Sequence, residues 1–215
     1  MPSQSSHTLI FDLDGTLSDP FRGTYRCMNF ALVNAGLPPR TEREIRSRIG
    51  PPLEETLELF AGGDNPLLIH ELVDRYRERY SQIGYAENEL YPGTTEMLSH
   101  LHERGIRMGV CTSKLKQNAV KILSLFKLQK YFSFVSGPDY GVKKYQQLEE
   151  LLREGTIDTN SIMIGDRGVD IAAAKTNGLM TAAVSWGFGS LKELELESPD
   201  FVFQTQAELA EKLGG

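Results

Sequence analysis

Two aspartates, two residues apart and followed by Gly-Thr, close an apolar run in "TLIFDLDGTLSDP", residues 8–20. A carboxylate at the end of a buried strand is costly unless a cation pairs with it or a reaction uses it. From that position Asp12 can act as a nucleophile toward phosphorus and form an aspartyl-phosphate. Asp14 can then protonate a leaving alcohol and later deprotonate an attacking water, as a general acid and then a base. Gly15 permits the tight backbone that such a turn requires.

Three further segments offer matching chemistry. In "GVCTSK" the hydroxyls of Thr112 and Ser113 stand where a strand gives way to a helix, a place suited to a phosphoryl oxygen. Cys111 beside them reads as a small buried strand residue. In "VKKY" either Lys143 or Lys144 could offset a nucleophilic carboxylate and a phosphate dianion sharing one pocket. In "MIGDRGVDI" Asp166 ends an apolar strand and Asp170 follows four residues later on the same helical face. With Asp12 these carboxylates form the hard oxygen set that Mg²⁺ prefers. Taken singly, each segment has a plainer explanation: helix caps for the aspartates and hydroxyls, solvated surface for the lysines. Together they place three apolar strands ending in carboxylates or a hydroxyl, with a lysine between.

The elements that must position these residues follow from periodicity. "LIFD" is a short buried strand. Residues 21–84 are then helical throughout, with Phe21, Tyr25, Met28 and Leu32 forming one stripe and Ile69, Leu72, Tyr76 and Tyr80 another. "AGLPPR" and "GGDNP" are turns between them. After "YPG" the pattern alternates: helix Thr94–Arg104, strand "IRMGVCT", a helix from near Leu115, strand "FSFVS", helix "YQQLEELLRE", strand "SIMIGD", helix "VDIAAAKTNG", strand "LMTAAVSW", then "DFVF" and a last helix "QAELAEKLG". Such alternation implies a mainly parallel, Rossmann-like α/β sheet with helices on both faces. Ligands bind beyond the carboxyl ends of its strands, where the polar residues fall. The expected domains are a core of residues 1–17 and 89–215 and an inserted all-helical cap over 18–88.

Composition narrows the partners. The 215 residues carry a net charge of -6, which disfavours a nucleic-acid backbone. No apolar stretch reaches membrane-spanning length, and "MPSQSSHT" has no apolar signal core. Cys27 and Cys111 lack a CxxC partner, as expected of reduced thiols in a cytoplasm. The four histidines show no zinc spacing.

The ordered set Asp12-Leu-Asp14-Gly-Thr, Thr112, a lysine and Gly165-Asp166-x-x-x-Asp170 resembles the haloacid dehalogenase superfamily over nearly the whole chain. The helical insert resembles that superfamily's type-1 cap. "IGPPLEETL", "LYPGTTEML", "MIGDRGVDI" and "SWGFGSLKEL" are similar to the phosphoglycolate-phosphatase-like proteins, especially the 5′-nucleotidase-like branch. The resemblance implies a Mg²⁺-dependent phosphomonoesterase acting on a small phosphorylated metabolite. It makes Asp12 the nucleophile and a metal ligand, and Asp14 the acid/base and a ligand through its backbone carbonyl. Asp166 becomes a metal ligand, Asp170 a group acting through water or on the lysine, and Thr112 a phosphoryl-binding residue. The lysine in this group precedes a proline, or lies about thirteen residues before the isoleucine after its helix. No proline follows here, and Lys144 stands thirteen residues before Ile157, which selects it over Lys143.

By the same resemblance, Gly50-Pro51-Pro52 is the cap loop that closes over the substrate. Arg22, Arg46 and Arg48 are candidates for a substrate anion, and Trp186 and Phe188 for stacking on a base. Asp14 argues against a dehalogenase, which does not need it. A β-phosphoglucomutase-like transferase and a non-catalytic regulatory member of the fold are the alternatives.

Overall fold

The computed structural model describes residues 7–138 and 142–215. In chain order the elements begin with β1 (Leu9–Phe11), β2 (Ser18–Asp19), α1 (Phe21–Asn34), α2 (Glu42–Arg46), α3 (Leu53–Ala61) and α4 (Pro66–Gln82). There follow β3 (Glu89–Leu90), α5 (Thr94–Glu103), β4 (Met108–Cys111), α6 (Lys116–Leu125), β5 (Val135–Ser136) and α7 (Lys144–Arg153). The chain ends with β6 (Ile162–Gly165), α8 (Gly168–Thr176), β7 (Met180–Val184), α9 (Leu191–Leu196), β8 (Phe201–Phe203) and α10 (Gln206–Leu213).

Six strands form one sheet in the order β5-β4-β1-β6-β7-β8, every neighbouring pair parallel. The architecture is therefore an α/β Rossmann-like sheet flanked by helices. Strand β1 sits between β4 and β6, with Phe11 opposite both Val110 and Ile164. The residues leaving these three strands emerge side by side for that reason. Each of the three strands is wholly buried, as continuous apolar runs in a doubly covered parallel sheet should be.

The chain divides into two compact units, residues 1–18 with 90–215 and residues 19–89. Strands β2 and β3 pair as a separate two-stranded sheet where the chain passes from one unit to the other and back. In the unit of residues 19–89, α1, α3 and α4 bury one core that includes Met28, Leu32, Leu57, Leu72, Tyr76 and Tyr80, with Tyr25 and Ile69 packed against it. The two stripes thus meet along α1 and α4. Helix α4 opens with the Asn65 side chain accepting from the Leu68 N–H and Pro66 in the first turn.

The sequence and the structure differ in places. "FSFVS" runs beside β4, with Ser133 N donating to the Met108 carbonyl and Val110 N to that of Phe134, but only Val135–Ser136 is regular strand. Its aromatic residues are used for packing: Phe132 meets Phe11 edge-on, and the Phe134 ring fills the space a side chain at Gly109 would need. Helix α9 and the two-residue strands β2 and β3 are shorter than a periodic pattern can reveal.

A partly buried ion cluster links α1 and α4 through Glu87. Glu87 lies 2.6 Å from Arg26 and 3.0 Å from Arg79, and Arg79 also donates to the Cys27 sulfur at 3.0 Å. Burial alone would raise the Glu87 carboxyl, but hydrogen bonds from Arg79 and Arg26 outweigh it and hold it below its ordinary value. A carboxyl depressed in the folded state stabilises fully above its unfolded pKa, and that contribution is lost as pH falls through its folded one. Because Arg26 is half exposed and screened by solvent, Glu87→Gln should cost about 1 kcal/mol at pH 7. The gap in unfolding midpoint between Glu87→Gln and wild type should close on acidification below about pH 4. A gap that persists at low pH would assign the loss to packing instead.

Candidate active site

Asp12 leaves β1 and its N–H donates to the Ile164 carbonyl at 2.8 Å, so its place is set by the neighbouring strand. Thr112 leaves β4 with its N–H on the Ser136 carbonyl at 3.0 Å, and Asp166 leaves β6. Asp170 sits in the first turn of α8, where its Oδ2 accepts from the Arg167 N–H at 3.0 Å. Negative charge at a helix N-terminus is favourable, which offsets part of the cost of burying it. Asp12, Asp166, Asp170, Thr112 and Lys144 are all buried.

Lys144 is the first residue of α7. Its ammonium lies 3.0 Å from Asp12 Oδ1 and pairs with Asp170 Oδ1, whereas Lys143 is exposed. Burial alone would lower the Lys144 pKa, but Asp12 and Asp170 more than reverse this and raise it, so the side chain stays charged. One oxygen from each of Asp12, Asp166 and Asp170 lies within 4.8 Å of the others. Burial, then the charges of Asp170 and Asp12, push the Asp166 carboxyl well up. Asp170 is raised to about 6, by burial first and by Asp12, against the opposing pull of Lys144. Three buried carboxylates facing one ammonium retain excess negative charge, and their hard oxygen donors fit a divalent cation.

Asp14 stands apart from this triad. Its Oδ2 is 2.7 Å from the ammonium of Lys114, and burial raises its carboxyl despite that lysine. Ser113, next to Thr112, is exposed. A side-chain bridge braces the Thr112 turn, since Gln147 donates to the Thr112 carbonyl at 3.2 Å and accepts from Ser136 Oγ at 2.9 Å.

A family model for haloacid dehalogenase-like hydrolases matches residues 9–184, the stretch that holds every one of these groups. The chain belongs to that family. Among its relatives, a 5′-nucleotidase of Pseudomonas aeruginosa is 36% identical, over 89% of this chain and 88% of that one. A phosphoglycolate phosphatase of Agrobacterium fabrum is 31% identical over 95% and 91%. The tyrosine-protein kinase PtkA of Mycobacterium tuberculosis is 32% identical over 99% and 74%. The solved structure of PtkA matches with a TM-score of 0.84 over 99% of this chain and 100% of that one. The family and its phosphatase-named members make this chain a phosphatase of the haloacid dehalogenase-like hydrolases.

Several residues of this hydrolase serve the site through contacts that the sequence does not show, Trp186 and Phe188 among them in place of the stacking expected of them. Asp166 is oriented by the Phe188 N–H, 2.8 Å from Oδ2, and by Thr16 Oγ1, 3.3 Å from Oδ1. The Trp186 indole N–H donates to the Thr16 carbonyl at 3.0 Å, so its polar edge serves the turn after Asp14. Lys114 stood within the quoted "GVCTSK", but a lysine there reads as surface until its partner, a hundred residues earlier, is seen. The arginines named from sequence are exposed; Arg46 lies 3.9 Å over the Phe21 ring and 3.9 Å from Asp19.

Glycines let these groups approach. Gly15 has φ +85°, and a Cβ there would overlap the Asp166 carboxylate. At Gly187 a Cβ would overlap both Asp166 and the Gly15 carbonyl, which is backbone and cannot move aside cheaply. Gly187→Ala should therefore destabilise the fold by about 1–3 kcal/mol, measured as a shift in denaturant midpoint. An unchanged midpoint would mean that the loop after β7 relaxes freely away from Asp166.

Proposed function

We propose that this chain is a Mg²⁺-dependent phosphomonoesterase that hydrolyses a small phosphorylated metabolite through an aspartyl-phosphate on Asp12. The observation that supports it most is the pairing of Asp12 with Lys144 beside Asp166 and Asp170, with Asp14 two residues on. In the first step an Asp12 oxygen forms a bond to phosphorus as the bond to the alcohol oxygen breaks. Asp14 gives its proton to the departing alcohol. Lys144 offsets the charge of carboxylate and phosphoryl group in one buried space, and Thr112 holds a phosphoryl oxygen. In the second step Asp14 takes a proton from water as the water oxygen bonds to phosphorus, and the Asp12–phosphorus bond breaks. Asp12, Asp166 and Asp170, with the Asp14 backbone carbonyl, would hold the Mg²⁺. When bound, that ion supplies charge stabilisation to the transferring phosphoryl group.

For the substrate, the two readings are 2-phosphoglycolate and a 5′-nucleotide, in keeping with the relatives' names. On this reading residues 18–88 are the cap, and Gly50-Pro51-Pro52 the loop that selects the substrate. We place the enzyme in a cytoplasm: Cys27 and Cys111 are both buried and in no disulfide, which suits a reducing compartment. No described helix is long and apolar enough to cross a membrane.

Phosphate release should be measured with Mg²⁺ on 2-phosphoglycolate and a set of 5′-nucleotides in parallel. A strong preference in kcat/KM names the substrate class, and EDTA should abolish release until Mg²⁺ is restored. Asp12→Asn should reduce kcat at least about a thousand-fold with the fold intact. Release that survives EDTA would contradict the metal assignment, and release that survives Asp12→Asn the nucleophile. Rearrangement of a sugar phosphate without net phosphate release would favour the mutase alternative. Transfer of phosphate to a tyrosine peptide would ally the chain with PtkA in activity.

Lys144→Ala should lower kcat about a hundred-fold or more, and Lys143→Ala should stay within about two-fold. The reverse order would overturn the choice of Lys144.

A further inference from the structure

Lys114 has no part in the roles set out above, yet it is built into the site. Its ammonium lies 2.7 Å from Asp14 Oδ2, and the two side chains are 9% and 17% exposed. The lysine's backbone is held as well. Lys114 N donates to Thr112 Oγ1 at 3.2 Å, so the pair is tied to the residue that follows β4. On the other side a Cβ at Gly137 would come within 2.6 Å of the Lys114 carbonyl oxygen, which leaves that turn little room to shift. Asp14 is fixed at its own backbone, where Gly15 N donates to the Ser18 carbonyl at 2.9 Å.

The two oxygens of Asp14 are therefore unequal. Oδ2 faces a cation, while Oδ1 is buried with no hydrogen-bond partner among the described residues. An aspartate carboxylate otherwise turns freely about its last torsion, which is broad and two-fold. A proton donor that must serve a leaving oxygen and then a water needs one oxygen kept in one direction. Lysine suits the task because its ammonium is a point charge that can engage one oxygen, whereas the planar fork of arginine is shaped to take both.

Building on the phosphomonoesterase reading, we propose that Lys114 is a positioning residue that holds Asp14 Oδ2, so that Oδ1 is the oxygen that gives its proton to the leaving alcohol and later accepts one from water. No other atom changes hands: the ammonium keeps its protons throughout, and the proton that leaves with the alcohol is replaced by the one from water.

The test is a double-mutant cycle in kcat over wild type, Lys114→Met, Asp14→Asn and the double variant, with alkyl and p-nitrophenyl phosphates as substrates. Lys114→Met should lower kcat on the alkyl phosphate about 10–100-fold with KM within about three-fold, and add little to the loss already caused by Asp14→Asn. The p-nitrophenolate leaving group needs no proton, so Lys114→Met should keep a burst of p-nitrophenol close to one per chain while steady turnover falls. Lys114→Gln, which retains a donor without the charge, should fall between the two and carries the cycle if the methionine variant unfolds. Losses that simply multiply, or a raised KM with kcat unchanged, overturn the role given to Lys114. A wild-type chain with no turnover overturns the phosphatase reading itself and this inference with it.

Discussion

The structure is organised around buried negative charge. Asp12, Asp166 and Asp170 converge behind the ends of two adjacent strands, and the only buried ammonium set directly among them in the described residues is that of Lys144. An uncompensated carboxylate in a protein interior is severely destabilising, and one lysine cannot balance three. The polypeptide responds with what it can supply: the amide of Phe188 and the hydroxyl of Thr16 on Asp166, the amide of Arg167 on Asp170, and the N-terminal dipole of α8. What remains is an attraction for a cation and a reason for the chain to keep this arrangement at the expense of easier packing.

That constraint reaches into the backbone. Gly15, Gly165 and Gly187 stand where any side chain would overlap an acidic residue of the cluster. The strands beneath are short and wholly apolar, so three residues of β1 suffice to bring Asp12 into register with the ends of β4 and β6. A parallel sheet supplies this automatically, because all its strands end on the same side.

Much of this was legible in the sequence, for identifiable reasons. Asp12 and Asp166 are acidic residues directly after apolar strands, with Asp170 one helical turn past Asp166, a combination that is hard to explain without chemistry. The alternation of strand and helix after residue 91 fixes the sheet class by connection rules alone. Lys144 required a family resemblance, since a lysine opening a helix otherwise reads as surface and only burial distinguishes it from Lys143. Lys114, Gln147 and the Phe188 amide were beyond reach in a different way. Each acts on a partner brought near by the fold rather than by spacing, and a backbone N–H has no residue type to betray it. The strand expected over residues 132–136 was too long because Phe132 and Phe134 are apolar for packing against Phe11 and Gly109, not for strand regularity.

The indole of Trp186 is the only one in the chain, and it is bonded to the carbonyl of Thr16, two residues past Asp14. Near-ultraviolet excitation of this protein consequently has one indole source, seated on the turn that follows the proposed nucleophile. The molecule carries its own optical reporter, and movements of that turn are open to observation by fluorescence without any label.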